Sequence, residues 1–380
     1  MIDKAKTLME AQDIEVMLIH SPENFIYTSG IYDATMRMNM EEGLLSQFVI
    51  LPRESEPTLL IDSGVLETAE ESSWISDIRT TATGTWLVRE RKHENFAENM
   101  VEGVKRVLEE RSLARGKLGV ERKYMTVDTY TRLKDSLPGA QFYDITGILQ
   151  NLRAVKTEEE ISKIRRAIQI AETGYGAAMA SISEGVSDFE ILNAFKVTVA
   201  REGGDVAQLI CGIGPDGGRL FSHPIGNKAR KGDIVRFDLV TIYMGYRSDL
   251  SQTAVLGKPP ERLAKLHGTL LEAQQKGIRA IKPGIKLSEI HKTIEEVVRS
   301  AGYSGYTRSM FGHSVGLECE EQPFISASCD AVFEPNMVFC VEVSWYQPGW
   351  AGMNAEDMVL VTEDGCEELS TMPKELYVVK

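Results

Sequence analysis

The chain has 380 residues, enough for two domains that each bury a core. With 43% hydrophobic and 26% charged residues it has the balance of an ordinary globular protein. A net charge of −14 argues against a nucleic-acid or anionic-membrane partner, because both require a basic face.

Residues 1–13 carry the pattern of an amphipathic helix with Lys4, Lys6, Glu10 and Asp13, and no apolar stretch of a signal peptide. No window approaches the roughly 18 uninterrupted apolar residues of a membrane span. Apolar runs at 16–20, 47–51, 58–61, 118–120 and 141–143 read as short strands. Residues 96–111 have helical spacing, with Val101, Val104 and Leu108 on one face. The first half is therefore α/β.

A boundary falls near 151–157, dividing the chain into domains 1–152 and 153–380. Thr157 with Glu160, and Ser187 with Glu190, are capping-box signatures that each open a helix. Ile161, Ile164, Ile168 and Ala171 recur at helical spacing after the first of them. A further helix runs from Ser288 through Ile290, Ile294 and Val297 to Gly302. Strand-like runs occupy 234–243, 246–256, 337–345 and 357–362. Hairpins with helices predict an α+β second domain with a curved antiparallel sheet. The segments 234–238 and 338–342 echo each other, each an apolar strand carrying one acid. Tandem duplication and coincidence both account for that echo. The cysteines, Cys211, Cys319, Cys329, Cys340 and Cys366, are odd in number and contain no Cys-x-x-Cys. They predict neither a disulfide framework nor a thiolate zinc site, but reduced thiols in a cytoplasmic protein.

Several acids are in the wrong place for plain strands. A turn centred on Tyr243 and Met244 would set Asp238 directly opposite Asp249, with Cβ atoms about 4.5–5.5 Å apart. Two bare carboxylates there repel, and burial worsens the conflict. A shared cation removes it; solvent exposure, or pairing with Arg236 or Arg247, is the alternative. Glu342 sits in an apolar run that reads as a buried strand, and Glu356 precedes the neighbouring run. A charged side chain is rarely buried unless paired or bound to metal. His313 lies in a Gly-rich loop-like segment whose glycines allow the close backbone approach a site needs; a polar loop histidine is the other reading. Four carboxylates and one imidazole suit two divalent ions. Water shared between such ions ionises near neutral pH and can attack a carbonyl.

These residues resemble the pita-bread metallopeptidases: Xaa-Pro aminopeptidase, prolidase, methionine aminopeptidase and creatinase. Lys231-Gly-Asp-Ile-Val-Arg-Phe-Asp238 and Gly245-Tyr-Arg-Ser-Asp249 match the two Asp ligands at the family spacing of eleven. Gly312-His313-Ser-Val-Gly316 matches the His motif, and Glu342 and Glu356 match the two Glu ligands. Residues 18–30 resemble the strand–turn–helix opening of the creatinase-type N-terminal domain, and residues 152–161 the junction where the catalytic domain begins. The resemblance implies that α/β domain in front of a pita-bread catalytic domain. It also implies two divalent ions, Mn²⁺ first and Co²⁺, Zn²⁺ or Fe²⁺ as alternatives, and a homodimer. His223 resembles the active-site histidine upstream of the first Asp; a surface loop histidine is the other reading.

Two positions depart from the family pattern. Glu320 stands where proline-specific members carry a second His, and Asn354 where many carry an Arg. An amide cannot supply the charge that clamps a substrate carboxylate. The leading expectation is a dinuclear Xaa-Pro aminopeptidase or dipeptidase, with Glu342 relaying a proton and His223 holding the tetrahedral intermediate. A second expectation is a creatinase-like hydrolase of a small cationic amide or amidine, selected by Glu320. A third is a non-catalytic binding protein on this fold.

Overall fold

The computed structural model describes residues 2–33, 35–41, 45–82 and 95–380. The chain forms two compact units, Met1–Arg153 and Ala154–Lys380. No helix among the described residues is long and apolar enough to cross a membrane.

The first unit is built on one six-stranded sheet. In chain order its strands are β1 (Val16–Ile19), β2 (Gln47–Pro52), β3 (Thr58–Asp62), β4 (Asp77–Thr81), β5 (Lys117–Val120) and β6 (Gln141–Asp144). Their spatial order is β4-β3-β2-β1-β5-β6. Alternate residues feed two cores. Met17, Ile19, Val49 and Leu51 fill one face, while Val16, Leu18, Phe48 and Ile50 fill the other. Covered on both faces, these strands read as continuous apolar runs, which made them legible. The helix expected at 1–13 is Ile2–Ala11, with Met1 outside the described residues; that expected at 96–111 is Met100–Glu110.

The second unit repeats one plan. A helix Glu158–Ser181 and a helix Asp188–Arg201 precede β7 (Asp205–Ile213), β8 (Ile234–Tyr243), β9 (Tyr246–Arg247) and β10 (Leu250–Leu256). A helix Glu261–Ala280 and a helix Leu287–Ser300 then precede β11 (Met310–Ser314), β12 (Glu321–Ser326), β13 (Val338–Gln347), β14 (Ala351–Val361) and β15 (Cys366–Glu368). A last strand, β16 (Tyr377–Val379), joins the first set in parallel beside β10. Two five-stranded sheets result, β16-β10-β8-β7 with β9 on β8, and β12-β11-β13-β14-β15. Gly185 and Gly284 stand between the helices of each pair with the same φ of 84°. The echo between β8 and β13 thus extends to the helices before them.

Both capping boxes form as the sequence predicts, at Thr157/Glu160 and Ser187/Glu190. The helix expected to start at Ser288 begins at Leu287, with Lys286 as its cap. The 20-residue helix Glu261–Ala280 was not anticipated, although Leu263, Leu266, Leu270 and Ala273 on its buried side recur at helical spacing. It supplies much of the core. Phe339, Val341 and Val343 of β13, with Ala355 and Val359 of β14, pack against Leu266, Leu270, Ile290 and Ile294. Side chains alternate along a strand, so Cys340, Glu342 and Ser344 face the other way, with Glu356 and Met358.

Lys156 closes one end of this sheet. Its ammonium donates to Ser314 Oγ at 2.7 Å and pairs with Glu321 at 3.3 Å, both side chains 1% exposed. Lys156→Ala removes the cation beside a buried carboxylate and is expected to cost about 3–5 kcal/mol, read by urea unfolding of the full chain.

Candidate metal centre

The β8–β10 hairpin carries the two Asp, but not as the sequence suggested. Its turn centres on Met244 and Gly245, with φ of 48° and 87°, the pair of left-handed residues a two-residue type I′ turn requires. Asp238 therefore lies opposite Ser251, not Asp249. The shift moves each partner by two residues, and the period of a strand is two. Both carboxylates consequently remain on one face. The long strand expected at 246–256 is broken at Ser248 and Asp249. There the Tyr175 hydroxyl enters the ladder, accepting from Leu239 N at 3.0 Å and donating to Leu250 O. Tyr175 comes from helix Glu158–Ser181 and stacks edge-on against Phe237.

The other residues come from the second sheet. His313 sits within β11 rather than in a loop, across from Cys340 of β13. Gly312, at φ 146°, allows this: a Cβ there would stand 2.1 Å from Cys340 O. Glu356 lies inside β14, which begins at Ala351, not in front of a strand starting at 357. Glu342 and Glu356 are direct cross-strand partners. The head-on pair of acids expected for the two Asp is thus formed by the two Glu.

Across the sheets, carboxylate oxygens of Asp238, Asp249 and Glu356 all lie within 4.8 Å of one another. Ligand atoms of Asp249, His313 and Cys340 meet the same limit. His313 Nε2 stands 3.5 Å from Asp249 Oδ2. Each acid is also held by a polar neighbour. Gln208 donates to Asp238 Oδ1 at 2.6 Å, and Arg308 and Ser344 donate to Glu342 Oε2 at 3.1 and 3.2 Å. Arg236, fully buried, stands 3.9 Å from Asp238 Oδ2.

Crowding is written into the proton affinities. Burial, then the neighbouring Asp249, push the Asp238 carboxyl up to about 7. Burial raises Asp249, and the nearby imidazole of His313 works against that rise. Burial and the charges of Asp249, Asp238 and Glu342 hold Glu356 well above the usual carboxylate range. These acids cannot all ionise together without a cation between them, and hard oxygen donors with one imidazole fit divalent metal.

His223 is exposed in a loop that is tied to β8. Arg236 donates to the carbonyls of Gly217, Arg219 and Leu220, and Ser222 Oγ donates to Asp216 O. Asp188 accepts from the amides of Ile225, Gly226 and Asn227. Glu320 is exposed; the buried acid is its neighbour Glu321, paired with Lys156. Asn354 is 2% exposed, and neither amide atom finds a hydrogen-bond partner among the described residues. Arg308, Gln208 and Tyr175 were not singled out from sequence. Arg236, weighed there as a pairing partner for the two Asp, does stand beside Asp238, two residues away on one strand face.

A helix-covered, mostly antiparallel sheet pair gathering buried acids and one imidazole defines a metal-dependent hydrolase. The model of metallopeptidase family M24 matches residues 162–363, and that of the Creatinase/Prolidase N-terminal domain matches residues 1–155. The chain belongs to metallopeptidase family M24. It is similar to an Xaa-Pro dipeptidase of Lactobacillus delbrueckii subsp. lactis, 28% identical over 382 residues, covering 100% of this chain and 98% of that one. The structure of an Xaa-Pro dipeptidase from Bacillus anthracis matches with a TM-score of 0.87 and 25% identity, covering 100% of this chain and 99% of that chain. The prolidase from Pyrococcus horikoshii OT3 matches with a TM-score of 0.84 and 26% identity over 99% of each chain.

The raised Asp238 carboxyl gives a signed pH dependence. Its folded value of about 7 exceeds the ordinary 3.8, so between those values the metal-free folded chain binds more protons than the unfolded one. Stability of metal-free protein then falls as pH rises through that window. The gap in Tm between Mn²⁺-loaded and EDTA-treated protein is expected to widen from about pH 5 to about pH 8, read by scanning fluorimetry. A gap that stays flat would contradict this reading of the site.

Proposed function

We propose that this chain is a dinuclear metal-dependent peptidase that cleaves the Xaa-Pro bond of short peptides, as a dipeptidase or aminopeptidase. The observation that carries this reading is the largely buried meeting of Asp238, Asp249 and Glu356 within 4.8 Å, with Glu356 in the same sheet as His313 and Glu342. Full-length similarity to chains described as Xaa-Pro dipeptidases supports the substrate class. Asp238, Asp249, His313, Glu342 and Glu356 are the proposed ligands of two divalent ions, with Mn²⁺ favoured by the preponderance of carboxylate oxygens. When bound, the ions supply Lewis acidity toward the substrate carbonyl and bring the pKa of water into the neutral range.

The chain's own groups then carry protons and position atoms. Glu342 takes the proton of the attacking water and delivers it to the departing proline nitrogen as the C–N bond breaks. Arg308 and Ser344 both hold Oε2 of Glu342, fixing which way the carboxylate points. His223, on its anchored loop, donates to the carbonyl oxygen as that atom gains charge. The five cysteines are free, which fits a reducing compartment such as the cytoplasm. The creatinase-type branch adds a homodimer, which light scattering would register.

The test is release of proline from a panel of Xaa-Pro dipeptides and longer Xaa-Pro peptides, with Mn²⁺ content measured on the same protein. Loaded protein that turns over none of them sinks the proposal. Glu342→Gln and His223→Ala are each expected to lower kcat about 10²–10⁴-fold, the latter with metal content unchanged. Arg308→Met is expected to lower kcat about 10–100-fold with KM little altered, and Arg308→Lys to recover part of the loss.

A further inference from the structure

The strand register sets a second kind of donor beside the carboxylates. Across β11, β13 and β14, His313 pairs with Cys340 and Cys340 pairs with Met358. An imidazole, a thiol and a thioether thus form one row, adjacent to the row of Glu342 and Glu356 and on the same face. Asp249 is surrounded by this chemistry. Its amide donates to Met358 Sδ at 3.1 Å, and its Oδ2 accepts from Cys319 Sγ at 3.2 Å.

The two thiols are not equivalent. Cys340 is fully buried, and its Sγ groups with ligand atoms of Asp249 and His313 within 4.8 Å. Its S–H donates to Glu356 Oε1 at 3.2 Å. Cys319 is only half-buried and points its S–H at Asp249 alone. Carboxylates by themselves suit hard ions, whereas thiolate sulfur selects borderline and soft ones.

We propose that Cys340 is a further metal ligand: with Asp249 and His313 its sulfur holds the ion beside His313, biasing that position toward Zn²⁺, Co²⁺ or Cd²⁺ over Mn²⁺. This rests on the metal-centre reading above. On binding, the S–H bond breaks, a sulfur–metal bond forms, and one proton leaves to solvent. Cys319 stays a thiol that orients Asp249. The centre then has one hard position among carboxylates and one softer position at the thiol row.

The test loads the metal-free full-length protein with Co²⁺ and reads absorption, with bound cobalt counted separately. A near-ultraviolet sulfur-to-cobalt charge-transfer band is expected in the unaltered protein. It is expected to vanish in Cys340→Ser and to persist in Cys319→Ser. Far-ultraviolet circular dichroism and Tm check that both variants fold, and Cys340→Ala serves if the serine variant does not. Protein that retains cobalt and shows its visible bands, but no sulfur band, overturns the thiolate ligand while leaving the metal centre intact. A band that survives in both Cys340 variants overturns it equally. Protein that retains no cobalt overturns the metal centre and this inference together.

Discussion

Asp238, Asp249, Glu342 and Glu356 repel one another across neighbouring strands, and burial strengthens that repulsion because no water screens it. Much of the second unit is arranged around this conflict. Arg236 and Arg308 stand beside one acid each, Gln208 and Ser344 donate to the same two, and two thiols donate to the others. These neighbours spread the charge without removing it. Carboxyls that remain partly protonated near neutral pH are what a metal-free site of this kind must contain.

The two sheets divide the work. In β8, β13 and β14 one side is apolar and seals against a long helix, while the other side is polar and makes the site. Phe339, Val341 and Val343 bury in the core while Glu342 faces away, so packing and chemistry share the same ten-residue strand. The same arrangement holds in β8, where Phe237 meets Tyr175 on the helix side and Asp238 lies on the opposite face. Sites built on strands locked by a core hold their side chains more closely than loops do. His223, whose loop is pinned by Arg236 from β8, is the exception that needed extra anchors.

Capping boxes, strands buried on both faces and acids embedded in apolar runs were legible because each is a local pattern with a local cause. What was not legible depended on register. The turn at Met244 and Gly245 lies one residue later than expected, since nothing in the sequence forbids a left-handed Met until the twist of the hairpin demands it. Glu356 read as a strand's edge because Ala351-Gly-Met-Asn-Ala355 lacks β-branched residues, and tertiary pairing with β13 overrode that weak local preference. His313 read as a loop residue because Gly312 looks like a turn; its actual use is to let β11 approach β13. The opposition of Cys340 to His313 needs three strands in register, and no single segment encodes it.

The hairpin between Asp238 and Asp249 has a consequence for how this sequence can vary over evolution. A residue inserted at the tip only lengthens the loop and leaves the strand pairing in place, whereas one inserted between the turn and Asp249 slips the register by one and turns the side chains beyond it to the other face. Such a slip would swing Asp249 toward the helix carrying Tyr175, emptying one corner of the site and burying a bare acid in the core. Length variation is therefore confined to the tip, where Tyr243 and the exposed Met244 are also far freer to drift in identity.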